Sequence, residues 1–253
     1  MGDSPFVYSP FSTVTYWGEI MSQGLTYHID VAFCIDVTGS MSPVIGLVKE
    51  NTRKFADDLT RKLKEKDKVA TQIRARVIAF GDCNVDPNPI NASSFYTLLP
   101  AEQTSEFSNF VSGLTAAGGG DEPESGLEAL AVAMGSEWIQ DGDRQRHIIV
   151  MFTDASAHPL ESRVGTVPSA FASLVPSSIS NLTDGWEGGQ QEGGVSTKLK
   201  QAARRLLLFA PDVDPWNAIG DAWTQTVFLP SKAGDGLSEV EYETILEVVA
   251  NSV

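Results

Sequence analysis

Apolar residues follow two rhythms along the chain. Short, near-continuous apolar runs alternate with longer stretches in which apolar positions return every three or four residues. "TYHIDVAFCI" (26–35) is the first such run and suits a central parallel strand buried on both faces. From Val44 to Lys66, Val44, Leu47, Val48, Phe55, Leu59 and Leu63 share one face and charged residues the other, which predicts a long amphipathic helix. "QIRARVIAFGD" predicts a second strand and "SSFYTLLP" a short third one. "SEFSNFVSGL" reads as a helix, the glycine-rich "TAAGGGDEPESG" as a loop, and "LEALAVAMGSEWI" as another helix. "RHIIVMFTDA" is a further apolar strand. "RRLLLFAP" and "TQTVFLP" predict two more, with "PWNAIGDAW" as a short helix between them and "SEVEYETILEVVANSV" as a closing amphipathic helix.

Strands alternating with helical segments predict an α/β fold: three layers, doubly wound, with a mostly parallel central sheet flanked by helices. Two stretches break the rhythm. Residues 1–26 are rich in Gly, Ser, Pro and aromatics and are expected to form an arm packed on a main domain of residues 27–253 through Phe6, Tyr8, Phe11, Tyr16 and Trp17. About residues 155–196 form an irregular insertion rich in Ser, Gly and Pro. An insertion of that length is either functional or a loose surface excursion.

Composition adds little to the fold and more to the choice of partner. The 253 residues are 42% hydrophobic and 20% charged, as in ordinary globular proteins. A net charge of -15, from 18 basic and 33 acidic residues, disfavours nucleic acid and anionic membranes as partners and is compatible with cation binding. No run approaches the roughly 18 continuous apolar residues of a membrane span, and Met1 to Tyr16 lacks the basic-then-apolar order of a secretory signal. The expected setting is cytoplasmic. Cys34 and Cys83 are too few for a disulfide framework or a zinc set, so buried free thiols are expected. A redox clasp is the alternative, since parallel neighbouring strands would bring the two close.

The candidate chemistry lies where strands end. Asp36, Thr38 and Ser40 follow the first strand at alternate positions. Asp121, Glu122, Pro123 and Glu124 occupy a loop-to-helix junction, and Thr153 and Asp154 follow the fourth long strand. Doubly wound sheets bind ligands at the carboxyl ends of their strands. Hard divalent cations want oxygen donors, and Mg²⁺ keeps several waters rather than entering an all-protein cage. Helix capping would account for Ser40 or Ser42, but not for an acid ending a buried strand.

These residues carry a resemblance. "DVTGSM" resembles the D-x-[ST]-x-S opening of the metal-ion-dependent adhesion site in von Willebrand factor type A domains, and the resemblance spans about residues 27–253. "GGGDEPESGLEAL" and "HIIVMFTDASAH" are similar to the matching loops of the I-like domain of integrin β subunits, including a D-x-P-E-x-G pattern. The resemblance implies a Rossmann-like fold and a metal held by Asp36, Thr38, Ser40, Glu124 and Asp154, with Asp121 close behind and Thr115 as a weaker alternative. It implies Mg²⁺, with Mn²⁺ or Ca²⁺ as alternatives, completed by an Asp or Glu of a partner protein. Integrin β subunits place acids just after the first loop and an Asn in the second, where this chain has Ser42, Pro43 and Gly119. One metal is therefore expected rather than three.

The function so implied is a metal-dependent adhesion or scaffold module without enzymatic activity. The alternative is a Mg²⁺-dependent phosphoryl-transfer or hydrolytic enzyme built on the same acids. Neither a G-x-G-x-x-G loop after a strand nor a G-K-[ST] step is present. His158 reads as either an outer-sphere residue or a loop anchor, Asp82 and Asp86 as rim charges or solvated turn residues. Trp186, Trp216 and Trp223 read as core or flap anchors rather than ligand stackers.

Overall fold

The strand β1 (Thr26–Asp36) runs through the middle of the sheet, paired in parallel with β2 (Val69–Phe80) on one side and β5 (Arg144–Phe152) on the other. The computed structural model describes residues 26–120, 122–162, 166–189, 197–231 and 242–253. Beyond β5 lie β6 (Arg204–Pro211) and β7 (Thr226–Ser231), both parallel. Beyond β2 lie the short antiparallel strands β3 (Ile90–Ala92) and β4 (Tyr96–Leu99). Among the described residues the sheet has seven strands in the order β3-β2-β1-β5-β6-β7, with β4 also on β2. Chain order runs outward from β1 in one direction and resumes from β1 in the other. The switch point therefore falls between β1 and β5, where a doubly wound sheet opens its crevice. This is the three-layer α/β architecture that the alternation of apolar runs and helical stretches implies.

Both faces of β1 are buried because its side chains alternate between two cores. Ile29, Val31, Phe33 and Ile35 join α1 (Ile45–Glu65), α2 (Thr104–Ser112) and α6 (Tyr242–Ser252) on one side. Ala32 and Cys34 join α3 (Gly126–Met134), α4 (Ile179–Glu187) and α5 (Trp216–Ala222) on the other. On α1, Val48, Phe55, Leu59 and Leu63 are buried, and each such side chain contributes about 1.5–3 kcal/mol. Leu47 departs from the expected face and is 44% exposed, while Val44 and Val48 on either side are buried. All nine residues of α3 are buried, so its apolar character is that of a helix covered all round rather than an amphipathic one.

Two elements were not foreseen. β3 is only three residues long and interrupted in pattern by Pro89 and Asn91, so it carries no period of its own. α4 lies inside the Ser/Gly/Pro-rich stretch expected to be irregular. Ser178 caps it by accepting from the Asn181 N–H at 3.1 Å, and Gly188 ends it in the left-handed region. Trp186 of α4 stacks on Trp223 at 5.4 Å, and the Trp216 indole N–H donates to Ala155 O at 2.9 Å. These tryptophans are core anchors, as their sequence context suggests. The arm at 1–25 lies outside the described residues.

The amino-terminal end of the sheet is sealed. Asp30, fully buried, accepts two bonds from Arg74 at 2.8 and 2.5 Å and one from the Ile139 N–H at 2.7 Å. A buried carboxylate so completely bonded is structural. The carboxyl-terminal end differs.

Candidate metal centre

β1 and β5 both run out at the switch point, with Ile35 paired to Phe152, so the residues that follow each strand face one another. Asp36 is wholly buried there. Its Oδ1 accepts from the Thr38 N–H at 2.9 Å and the Thr38 hydroxyl at 2.6 Å, and its Oδ2 accepts from the Thr153 hydroxyl at 2.7 Å. Ser40 donates to Asp154 Oδ1 at 2.9 Å. The Thr38 and Ser40 oxygens are 3.1 Å apart. With one hydroxyl proton committed to Asp36 and the other to Asp154, the two oxygens meet with lone pairs free. Alternate spacing at 36, 38 and 40 thus brings three oxygen donors to one point. Neither serine caps α1: its first turn follows a short 3-10 turn at Gly39–Met41, and its N-cap is Val44 with no side-chain cap bond.

The second loop approaches from the side of β2. Gly118 and Gly119 have φ of +82° and +75°, a region that favours glycine. A Cβ on Gly119 would stand 2.7 Å from Glu124 Oε1 and 3.0 Å from Thr38 Cβ, so this backbone is what allows loops one and two to meet. Gly39 N–H donates to Gly118 O at 3.1 Å across that contact. Glu124 then forms a single parallel bridge with Ala157 of the third loop. Its N–H donates to Ser156 O and its O accepts from the His158 N–H, both at 2.9 Å.

Glu124 is an electrostatically crowded carboxylate. It is 4% exposed, and its Oε2 has no hydrogen-bond partner. Burial, reinforced by the charges of Asp36, Asp82, Asp86 and Asp154, pushes its pKa up to about 8. Burial likewise pushes Asp36 up to about 6, against the bonds from Thr38 and Thr153. Asp154, 1% exposed, also has an Oδ2 without a partner. Buried oxygens are normally paired, and acids crowded together are neutralised by protons or by a cation. In donor type the site fits a hard divalent ion. Among the described residues no group of three or more His, Cys, Asp or Glu side chains is arranged to hold a metal by itself. Hydroxyls and water would have to supply the remaining oxygens, as Mg²⁺ commonly requires.

The structure thus joins Asp36, Thr38, Ser40 and Asp154 by direct bonds and sets Glu124 beside them. Asp121 lies outside the described residues. Thr115 lines a separate groove of about 700 Å³ with Phe110 and Asn91. Thr153, which locks Asp36 from β5, was visible only as the neighbour of Asp154. Asp82 and Asp86 are not solvated turn residues. Asp82 is 2% exposed and lies 3.2 Å from His158 Nε2, and Asp86 accepts from the Asp82 N–H at 2.8 Å and the Gly119 N–H at 3.1 Å. Turn composition alone conceals such roles, because Asp in a turn is ordinarily exposed. Neither cysteine is in a disulfide, both are buried, and burial pushes the Cys34 thiol up to about 12.

A doubly wound sheet with hydroxyls and acids gathered at its switch point defines a class, and comparison with known proteins gives it a name. Residues 30–173 match the model of the von Willebrand factor A domain. The chain belongs to that family. Over 133 residues it is 29% identical to the alpha-protein kinase vwkA of Dictyostelium discoideum, a match covering 53% of this chain and 19% of that protein. The chain therefore spans about a fifth of that relative. Among solved structures, the pilus adhesin SpaC of Lactobacillus rhamnosus GG in its open conformation superposes with a TM-score of 0.50 at 10% identity, covering 89% of this chain and 30% of the adhesin. That is a likeness of fold. A von Willebrand factor type A protein from Catenulispora acidiphila has a TM-score of 0.41 at 12% identity, over 90% of this chain and 43% of that one. Among the described residues no helix is long and apolar enough to cross a membrane.

Proposed function

We propose that this chain is a metal-dependent protein-binding module, with a single Mg²⁺-type site completed by an Asp or Glu of its partner. Membership of the von Willebrand factor A family supports the general role of a protein-interaction module. The observation that carries the finer reading is the pair of buried carboxylate oxygens without partners, Glu124 Oε2 and Asp154 Oδ2, beside the two hydroxyls. Asp36, Thr38, Ser40, Glu124 and Asp154 would hold the ion, directly or through water. A bound cation would supply an open position for a carboxylate from outside, making it a bridge rather than a catalyst. The chain's own residues prepare that position. Thr153 and Thr38 hold Asp36 in one orientation, Ser40 holds Asp154, and the glycines of the second loop let Glu124 close in.

The module is read as non-enzymatic and, with two buried cysteines that form no disulfide, as a cytoplasmic one. The test is to pan a displayed random-peptide library against the protein in Mg²⁺ and in EDTA. Enrichment of peptides bearing Asp or Glu in Mg²⁺ alone is the expected result. Equal recovery in EDTA would overturn the bridge, and phosphoester turnover that vanishes in Asp36→Ala would overturn the non-enzymatic assignment.

A further inference from the structure

His158 stands outside the candidate ligand set, yet the bonds around it lead directly to Glu124. Its Nε2 lies 3.2 Å from Asp82 Oδ1 and 3.0 Å from the Asn84 side-chain amide. Asp82 is itself held: it is 2% exposed, its Oδ1 accepts from the Asn84 N–H at 2.7 Å, and its own N–H donates to Asp86 at 2.8 Å. On the other side, the His158 N–H donates to Glu124 O, while Ser156 O accepts from the Glu124 N–H. Both backbone groups of Glu124 are thus taken by residues 156–158, a coil beyond the end of β5. A coil has no ladder of its own to fix its path. The His158 ring, clipped to the loop after β2, ties this piece of coil to a rigid strand end.

We infer that His158 is a positioning residue for the cation site, holding Glu124 in place through its ring contacts with Asn84 and Asp82. The inference rests on the cation-bridge reading. Removing the ring leaves Glu124 and its backbone bonds chemically intact but frees the coil to which they are made. The carboxylate, crowded by Asp36, Asp82, Asp86 and Asp154, then has every electrostatic reason to swing outward. Outer-sphere partners of this kind typically change metal affinity by about 10–100-fold.

The test compares two amides that differ only in reach. The Gln side-chain nitrogen occupies the level of Nε2, and the Asn nitrogen stops near that of Nδ1. Mg²⁺ is titrated calorimetrically into the full chain as wild type, His158→Gln, His158→Asn and His158→Ala, with Tm in EDTA measured on each. His158→Gln is expected to bind within a few-fold of wild type. His158→Asn and His158→Ala are expected to bind about tenfold or more weakly at a similar EDTA Tm. If His158→Ala fails to fold, the Gln and Asn variants carry the comparison. Equal Mg²⁺ affinity in the Gln and Asn variants overturns the inference while leaving the cation site standing. No Mg²⁺ binding by wild type overturns both.

Discussion

Ser40 Oγ donates to Asp154 Oδ1 at 2.9 Å, joining the loop after β1 to the loop after β5 across 114 positions of sequence. The bond exists because the topology puts those two strand ends side by side at the switch point, and it uses only one of Asp154's two oxygens. Replacing Ser40 with Ala strips a buried carboxylate of that bond, which should cost about 1–3 kcal/mol without metal. The stronger expectation concerns metal. Mg²⁺ should raise the Tm of wild type, and that rise should be lost in Ser40→Ala, as measured by differential scanning calorimetry with and without EDTA.

Glu124→Gln should act with opposite signs in the two conditions. In EDTA at pH 8 the variant is expected to be more stable than wild type by about 1–3 kcal/mol, because a buried carboxylate surrounded by other acids becomes a neutral amide. In Mg²⁺ the order should reverse, since the variant has lost a ligand. Chemical denaturation in each buffer measures both differences.

Gly119→Ala should disable the site without replacing any ligand. The new Cβ would meet Glu124 Oε1 at 2.7 Å and Thr38 at 3.0 Å, at a φ of +75°. The left-handed backbone alone costs about 1–2 kcal/mol for an L-residue. A fall in Tm of several degrees and loss of Mg²⁺ binding are expected by calorimetry.

Far from the site, Glu247 of α6 is clasped by Lys62 of α1 at 3.1 Å and by Lys66, the residue after α1 ends, at 2.6 Å. Their hydrogen bonds hold the carboxyl down to about 2. Because the folded value lies below the unfolded one of 4.5, the clasp stabilises the fold above that pH. The contribution is lost as pH falls from 4.5 through about 2. The Tm gap between wild type and Glu247→Gln should therefore be present at pH 7, close over that window, and shrink in high salt.

Most of the layout was legible in the sequence because its signals are local. The run ending at Asp36 and the runs ending at Asp154 and Pro211 are apolar on both faces, which only central parallel strands require. The site was legible for a different reason: Asp36, Thr38 and Ser40 form one contiguous pattern, so no tertiary knowledge is needed to group them. What stayed hidden was relational. Thr153 bonds Asp36 only because β5 lies beside β1, and Asp82 meets His158 only because the third loop comes back to the end of β2. α4 was masked by its Ser, Gly and Pro neighbours, although Ser178 and Gly188 are ordinary start and stop signals.

The central claim is that oxygens from three strand-end loops form one cation site. Calorimetric titration of Mg²⁺ into metal-free protein at neutral pH tests it most directly, with Asp36→Ala run alongside and its fold checked by near-ultraviolet circular dichroism. One ion per chain for wild type and none for a folded Asp36→Ala variant is the predicted result. No binding of Mg²⁺, Mn²⁺ or Ca²⁺ by wild type, or equal binding by the variant, would contradict it.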